Sequence, residues 1–269
     1  MEGLYLYCIW EKTDTPFSFS TKGIDEKGEV FVIPFRELVA VVSKVSLEEF
    51  ASEEIQKKAQ GDLNWIKEKA LAHEKVIEEA MRKDDEVLSL MPMRFGTIFK
   101  EKARLEETLI KDYPRIREVL DKIRGKQEWS VKIYLKDRGK LEQVIKEKNK
   151  AIKEKEKEIA SLPEGMAFFM EEELKEVISR ELEKELNNIE EVLFESLKKQ
   201  AVDAKKCKIL QKELTGRREP MILNAAYLVP EEKIEDFKEK TEGSNQEAQA
   251  KGFYIEYSGP WPAYNFTSY

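Results

Sequence analysis

The chain has 269 residues, of which 41% are hydrophobic and 38% charged, and its formal net charge is −7. That length fits one large domain or two of ordinary size, and the charge fraction calls for long solvated helical faces. An acidic balance argues against a nucleic-acid backbone as the main partner, and no apolar run is long enough to span a bilayer.

Residues 4–10 read as a strand with Leu4, Leu6, Cys8 and Trp10 on one face and Tyr5, Tyr7 and Ile9 on the other. The start lacks the basic region, apolar core and cleavage pattern of a secretory signal. Cys8 and Cys207 match no metal spacing, so two reduced cytoplasmic thiols are expected. A loop with Pro16 and Gly23 precedes a short apolar run at residues 30–33, and residues 38–45 form a β-branched strand. Ser46 is placed to cap a helix, with Glu49 completing a capping box. Beyond Gly61 the period changes to helical, with Ile66, Ala70, His73, Ile77 and Ala80 in one stripe, flanked by Leu63 and Met81. His73 therefore points inward. It is the only histidine, and no Cys, His or carboxylate stands at a metal-ligand spacing from it, so a satisfied buried imidazole is the expectation.

The least charged stretch of the first half, residues 88–99, reads as a buried strand ended or edged by Pro92. Arg94, followed by Phe95 and Gly96, sits inside it. A cation there needs partners, and an internal salt bridge is preferred over an anion or carboxylate receptor. Gly96 supplies a permissive turn. Residues 101–124 are helical, restarted at Pro114 under an Asp112 cap, with Leu105, Leu109, Ile116, Leu120 and Ile123 inward. The first domain is set at residues 1–125.

Residues 129–135 alternate as a half-buried strand. Residues 137–159 form one highly charged helix whose apolar stripe is thin and interrupted by Lys148 and Lys155, which predicts an exposed, projecting arm. A break at residues 161–165 and the run Ala167-Phe-Phe-Met170 precede a long helix over residues 171–199. Residues 202–210 read as an exposed edge strand, residues 215–220 as a polar turn and residues 221–229 as a strong strand. They are followed by a short helix over residues 231–240, a Gly/Ser/Asn/Gln-rich loop and a last strand over residues 253–257. The order strand, long helix, strand, strand, helix, strand is ferredoxin-like. The fold class expected is α+β, an N-terminal α/β domain followed by a ferredoxin-like C-terminal domain at 126–258 that carries the arm 137–160. In the tail, residues 259–269, Trp261, Tyr264, Phe266 and Tyr269 are costly to expose, so it either packs back on a domain or docks a partner.

Leu4-Tyr-Leu-Tyr-Cys-Ile9, Ala72-His-Glu-Lys-Val76, Met91-Pro-Met-Arg-Phe-Gly-Thr-Ile-Phe99, Glu128-Trp-Ser-Val-Lys132, Asn224-Ala-Ala-Tyr-Leu-Val229 and Gly259-Pro-Trp-Pro-Ala-Tyr-Asn-Phe266 occur in that order. Together they resemble the GvpF/GvpL family of gas vesicle proteins nearly end to end. Cys8 stands where the family often has glycine, and Ala263 where it has proline. The resemblance implies a non-enzymatic accessory protein of gas vesicle assembly, located at the vesicle in the cytoplasm. Its partner is the major hydrophobic shell protein, with other accessory gas vesicle proteins as further candidates and neither nucleic acid nor membrane as a partner. It implies no catalytic set, metal or cofactor. His73, Arg94, Phe95, Asn224, Trp261 and Phe266 are carried as structural or interaction candidates. The alternative is an anion- or small-molecule-binding enzyme or sensor using Arg94.

Overall fold

The computed structural model describes residues 1–13, 17–50, 55, 58, 61–83, 86–212 and 216–267. Pro16 of the first loop, Thr215 at the head of the polar turn and Tyr269 of the tail lie outside the described residues. The chain mixes helix and antiparallel sheet in two compact units, one made of Met1–Glu128 with Pro260–Tyr269 and the other of Trp129–Gly259.

In the first unit β1 (Glu2–Glu11), β2 (Val30–Phe35) and β3 (Leu38–Ser46) lead into the helical turn α1 (Leu47–Phe50). The helix α2 (Leu63–Met81) is followed by the short strands β4 (Arg82–Lys83), β5 (Glu86–Val87), β6 (Leu90–Pro92) and β7 (Ile98–Phe99), and then by α3 (Lys102–Ile123). The main sheet runs β2-β3-β1-β6, with β7 also on β1. The pairing of β1 with β3 slips between Leu6 and Cys8. This bulge overturns the simple alternation read from the sequence, because Tyr5, Tyr7, Cys8 and Trp10 all join one core with α2 residues.

Ser46 Oγ accepts from the Glu48 N–H, so the expected cap on α1 is present. In α2 the buried face comprises Ala72, His73, Val76, Ile77, Ala80 and Met81, whereas Leu63, expected to flank it, is exposed. Lys69 is buried in their company and paired with Glu26 and Glu68 at 2.9 Å each. Pro114 does not restart α3; the helix continues through it. Pro114 lies on the exposed side, as does Ile110, whose carbonyl loses its partner and can be solvated there. The predicted inward residues of α3 are all buried.

The second unit is built on β8 (Lys126–Leu135), which enters it at Trp129, α4 (Arg138–Lys148), α5 (Lys150–Ile159), α6 (Glu164–Lys198), β9 (Asp203–Lys206), β10 (Met221–Pro230), α7 (Ile234–Ala250) and β11 (Phe253–Trp261), which leaves it after Gly259. Its sheet order is β11-β8-β10-β9, which leaves β9 at an edge as expected. The arm departs from expectation. Asn149 divides it into two helices by ending α4 and accepting from the Ala151 and Ile152 N–H groups of α5. Leu141, Ile145, Ile152 and Ile159 are buried in one core with Leu174, Leu182 and Ile189 of α6. Lys148 stays exposed at the joint and Lys155 pairs with Glu173, so the stripe is covered and the lysines rim it. Packed against α6, both segments remove their thin stripe from water, which a projecting helix would leave exposed.

Two other boundaries moved. The Ala167-Phe-Phe-Met170 run is the first part of α6, and the Gly/Ser/Asn/Gln-rich stretch is the second half of α7. Phe237, Thr241, Ser244 and Ala248 form a buried stripe at helical spacing, so packing overrides the weak propensity of Gly243. Asn245 Oδ1 also accepts the Ile255 N–H at 2.9 Å.

Gly252, between α7 and β11, has φ +89°, and its carbonyl accepts from both Lys136 and Asp137 N–H groups. A Cβ there would stand 2.4 Å from the Asp137 carbonyl oxygen. Gly252→Ala is therefore expected to cost about 3 kcal/mol, measured by chemical denaturation, against less than about 1 kcal/mol for Gly165→Ala, whose Cβ meets open space.

Candidate functional site

A connected polar cluster of the first unit begins with the two tyrosines of β1. The Tyr7 hydroxyl accepts the Ile24 N–H at 2.7 Å and pairs with Ser43 Oγ at 2.8 Å. Burial raises its pKa to about 12. The Tyr5 hydroxyl accepts the Gly96 N–H at 2.9 Å and meets His73 Nδ1 at 3.0 Å. Burial pushes this hydroxyl far up as well. Gly96 has φ +83°, so the turn after Arg94 needs glycine to bring that N–H to Tyr5.

His73 is 2% exposed. Its ring stacks on Tyr7 at 5.7 Å between centroids and meets Tyr5 and Phe95 edge-on at 5.6 and 6.0 Å. Nε2 lies 3.1 Å from the Tyr264 hydroxyl, which in turn donates to Glu74 Oε1 at 2.7 Å. The ends set the direction of this series. A backbone N–H can only donate and the carboxylate accepts, so Tyr5 donates to Nδ1 and Nε2–H donates to Tyr264. Burial lowers the His73 pKa to about 4, outweighing an opposing backbone interaction at Met93. Burial likewise pushes the Glu74 carboxyl up.

The tail closes the same unit. Asn265 donates its backbone N–H and its side-chain Nδ2–H to the two oxygens of Glu128, at 3.0 and 2.6 Å. Glu128, Ala263, Phe266 and Thr267 are buried. Lys122 lies over the Phe266 ring at 5.7 Å.

The sequence-based candidates thus separate. His73 and Phe95 meet in one aromatic cluster, and Phe266 is buried in the same unit. Arg94 is exposed and, among the described residues, forms no ion pair, which corrects the expected internal salt bridge. The strand ends at Pro92, so Arg94 falls on a turn and never enters the core. Trp261 is 43% exposed, whereas Phe266 of the same tail is buried. Trp261 is the last residue of β11, which runs four residues beyond the predicted end. Asn224 stands on β10 in the second unit, where Nδ2 donates to the Lys208 carbonyl at 2.8 Å and its own carbonyl accepts the Cys207 N–H at 2.7 Å. It pins the segment after β9. Tyr5, Glu74, Glu128, Tyr264 and Asn265 were missed; the tyrosines carried the only legible signal, being aromatics with a polar tip in otherwise apolar runs.

Trp261→Ala is expected to change unfolding free energy by less than about 1 kcal/mol, and Phe266→Ala by about 3–4 kcal/mol, in parallel urea titrations.

Fold and cluster together define a mixed α/β protein whose best organised polar groups tie its own segments to one another. A family model described as "Gas vesicle synthesis protein GvpL/GvpF" matches residues 3–268, and the chain belongs to that family. Gas vesicle protein F of Nostoc sp. strain PCC 7120 is 31% identical over 175 residues, covering 64% of this chain and 66% of that protein. Gas vesicle protein F1 of Halobacterium salinarum is 26% identical over 98% of this chain and 92% of its own length. The fold matches the crystal structure of GvpF from Anabaena sp. PCC7120 with a TM-score of 0.74 at 23% identity, over 100% of this chain and 99% of that one. Membership gives the chain a role in gas vesicle assembly and an association with gas vesicle components; the family's proteins are accessory proteins not known as enzymes. Among the described residues, no helix is long and apolar enough to cross a membrane.

Proposed function

We propose that this protein is a non-enzymatic assembly factor that binds the major hydrophobic shell protein in the cytoplasm and promotes vesicle formation or remains as a minor vesicle component. The observation that carries the reading is the family match along nearly the whole chain, residues 3–268. The closed bonding of the His73 cluster supports it, since Tyr5, His73 and Tyr264 direct their polar atoms at one another. We read residues 1–125 as an N-terminal α/β domain and 126–258 as a ferredoxin-like domain. The strand order β11-β8-β10-β9, with helices after the first and third strands in sequence, supports that assignment. The anion-sensor alternative built on Arg94 loses its physical motive, because an exposed guanidinium is solvated and needs no bound anion.

The test is co-purification of the tagged chain with the shell protein, together with vesicle yield in a strain lacking the chain. Enrichment of shell protein and a loss of vesicles are expected. Normal vesicles with no association would overturn the proposal.

A further inference from the structure

The start of α6 leaves Met166, Phe168 and Phe169 at 59%, 60% and 72% exposure, while the residues around them pack inward. At about 100° per residue, Ala167, Met170 and Leu174 share the face that touches the unit's core, and Phe168 and Phe169 point away from it. The two rings meet edge-on at 5.8 Å between centroids. Gly165 falls between them on the helical wheel, and a Cβ there would touch nothing, so the backbone is open to close approach. Glu172 and Glu176 follow on that same outward face one turn and two turns later.

Charge decides what can cover this face. The helix α6 carries eleven Glu against four Lys or Arg, an excess equal to the whole chain's net charge of −7. Around the aromatic pair stand Glu164, Glu171, Glu172, Glu173 and Glu176. Lys175 pairs with Glu172, and Lys155 of α5 pairs with Glu173. Acids still outnumber bases. A second copy would bring the same acidic helix against itself, and an anionic lipid surface would be repelled as well.

We infer that the Met166–Phe168–Phe169 face of α6 is a docking site for an amphipathic helix of a partner protein, one whose apolar stripe is bordered by Lys or Arg. The apolar stripe covers the two rings, Gly165 admits a side chain beside them, and the basic border meets the glutamates. The three side chains offer on the order of 400 Å² of apolar surface. That is about half of one partner's share in a standard interface, which makes the contact weak and exchanging. The inference concerns this surface and its chemistry, and it does not depend on the shell protein being the partner.

The probe is a labelled synthetic 18-residue Leu/Lys peptide with helical amphipathic spacing, titrated with the full chain by fluorescence anisotropy at 150 mM salt. A scrambled peptide of the same composition and a Leu/Glu peptide of the same spacing run beside it. We expect micromolar binding of the Leu/Lys helix and at least tenfold weaker binding of both controls. Phe168→Ser with Phe169→Ser should weaken binding at least tenfold with an unchanged circular dichroism spectrum, and Phe168→Leu with Phe169→Leu should restore most of it. Glu171→Lys with Glu172→Lys should weaken it at least fivefold. Equal binding of the scrambled peptide, or unchanged binding by the Ser variant, would overturn the inference by reducing it to bulk charge. So would sedimentation showing a wild-type dimer that the Ser variant dissolves, because the occupant would then be a second copy.

Discussion

Acidification from pH 7 to pH 4 is expected to remove about 3 kcal/mol of folding stability through His73 alone, because burial holds its folded-state pKa near 4 rather than 6.5. The sign follows from proton counting. Between those two values the unfolded chain binds a proton that the folded chain refuses, so each step down in pH favours unfolding. The contribution is complete above about pH 6.5 and is lost as pH falls through about 4. Carboxylates titrate in the same range, so the measurement is a difference: urea unfolding of wild type and His73→Gln from pH 7 to pH 4. The wild type should lose about 3 kcal/mol more than the variant over that interval. Because the chain has one histidine, a long-range ¹H–¹⁵N spectrum gives an independent reading. It should show the neutral ring protonated at Nε2 down to about pH 5, as the Gly96–Tyr5–His73–Tyr264–Glu74 series requires. A ring that titrates near 6.5, or an Nδ1–H tautomer, would show that the cluster is not closed as described.

The second large effect concerns the tail. Ending the chain after Trp261 is expected to cost the first unit about 5 kcal/mol or more. It removes the buried Phe266 side chain, worth about 3–5 kcal/mol. It also removes both Asn265 hydrogen bonds to the Glu128 carboxylate, each worth about 1.5–3 kcal/mol as a bond to a charged group. His73 Nε2 loses its Tyr264 partner as well. Such a loss approaches the total stability of an ordinary domain. Hydrogen exchange should therefore show β1 and α2 amides losing protection, rather than only the residues beside the cut. A change below about 1 kcal/mol, with exchange confined to the chain end, would mean that the tail is carried for docking and not for folding. Trp261 is exposed, whereas Ala263, Phe266 and Thr267 are buried in the fold.

Periodicity determined the inward faces of α3 and β8 and the inward direction of His73, the lysines of residues 202–210 pointed to the edge position of β9, and the quoted motifs carried the family resemblance. Each is written in local spacing: apolar residues at helical or alternating positions, a β-branched run, or a motif with fixed neighbours. Positive φ at Gly96 was legible for the same reason, since only a residue without a Cβ turns there easily. Tertiary structure decided the rest. The bulge in β1 places Tyr7 and Cys8 in a single core, and no local signal distinguishes it from plain alternation. Asn149 folds the arm onto α6 because burying four aliphatic side chains outweighs the solvation a projecting arm would keep. Packing also made α7 continue through Gly243, and let α3 run through Pro114 where water can serve the orphaned carbonyl. The His73 cluster joins residues from positions 5 to 264, and a sequence read one window at a time cannot show that Tyr5 and Tyr264 flank the same imidazole. An apolar neighbourhood in sequence does not bury Arg94 or Trp261, because the strand ends at Pro92 and β11 runs out to its exposed last residue.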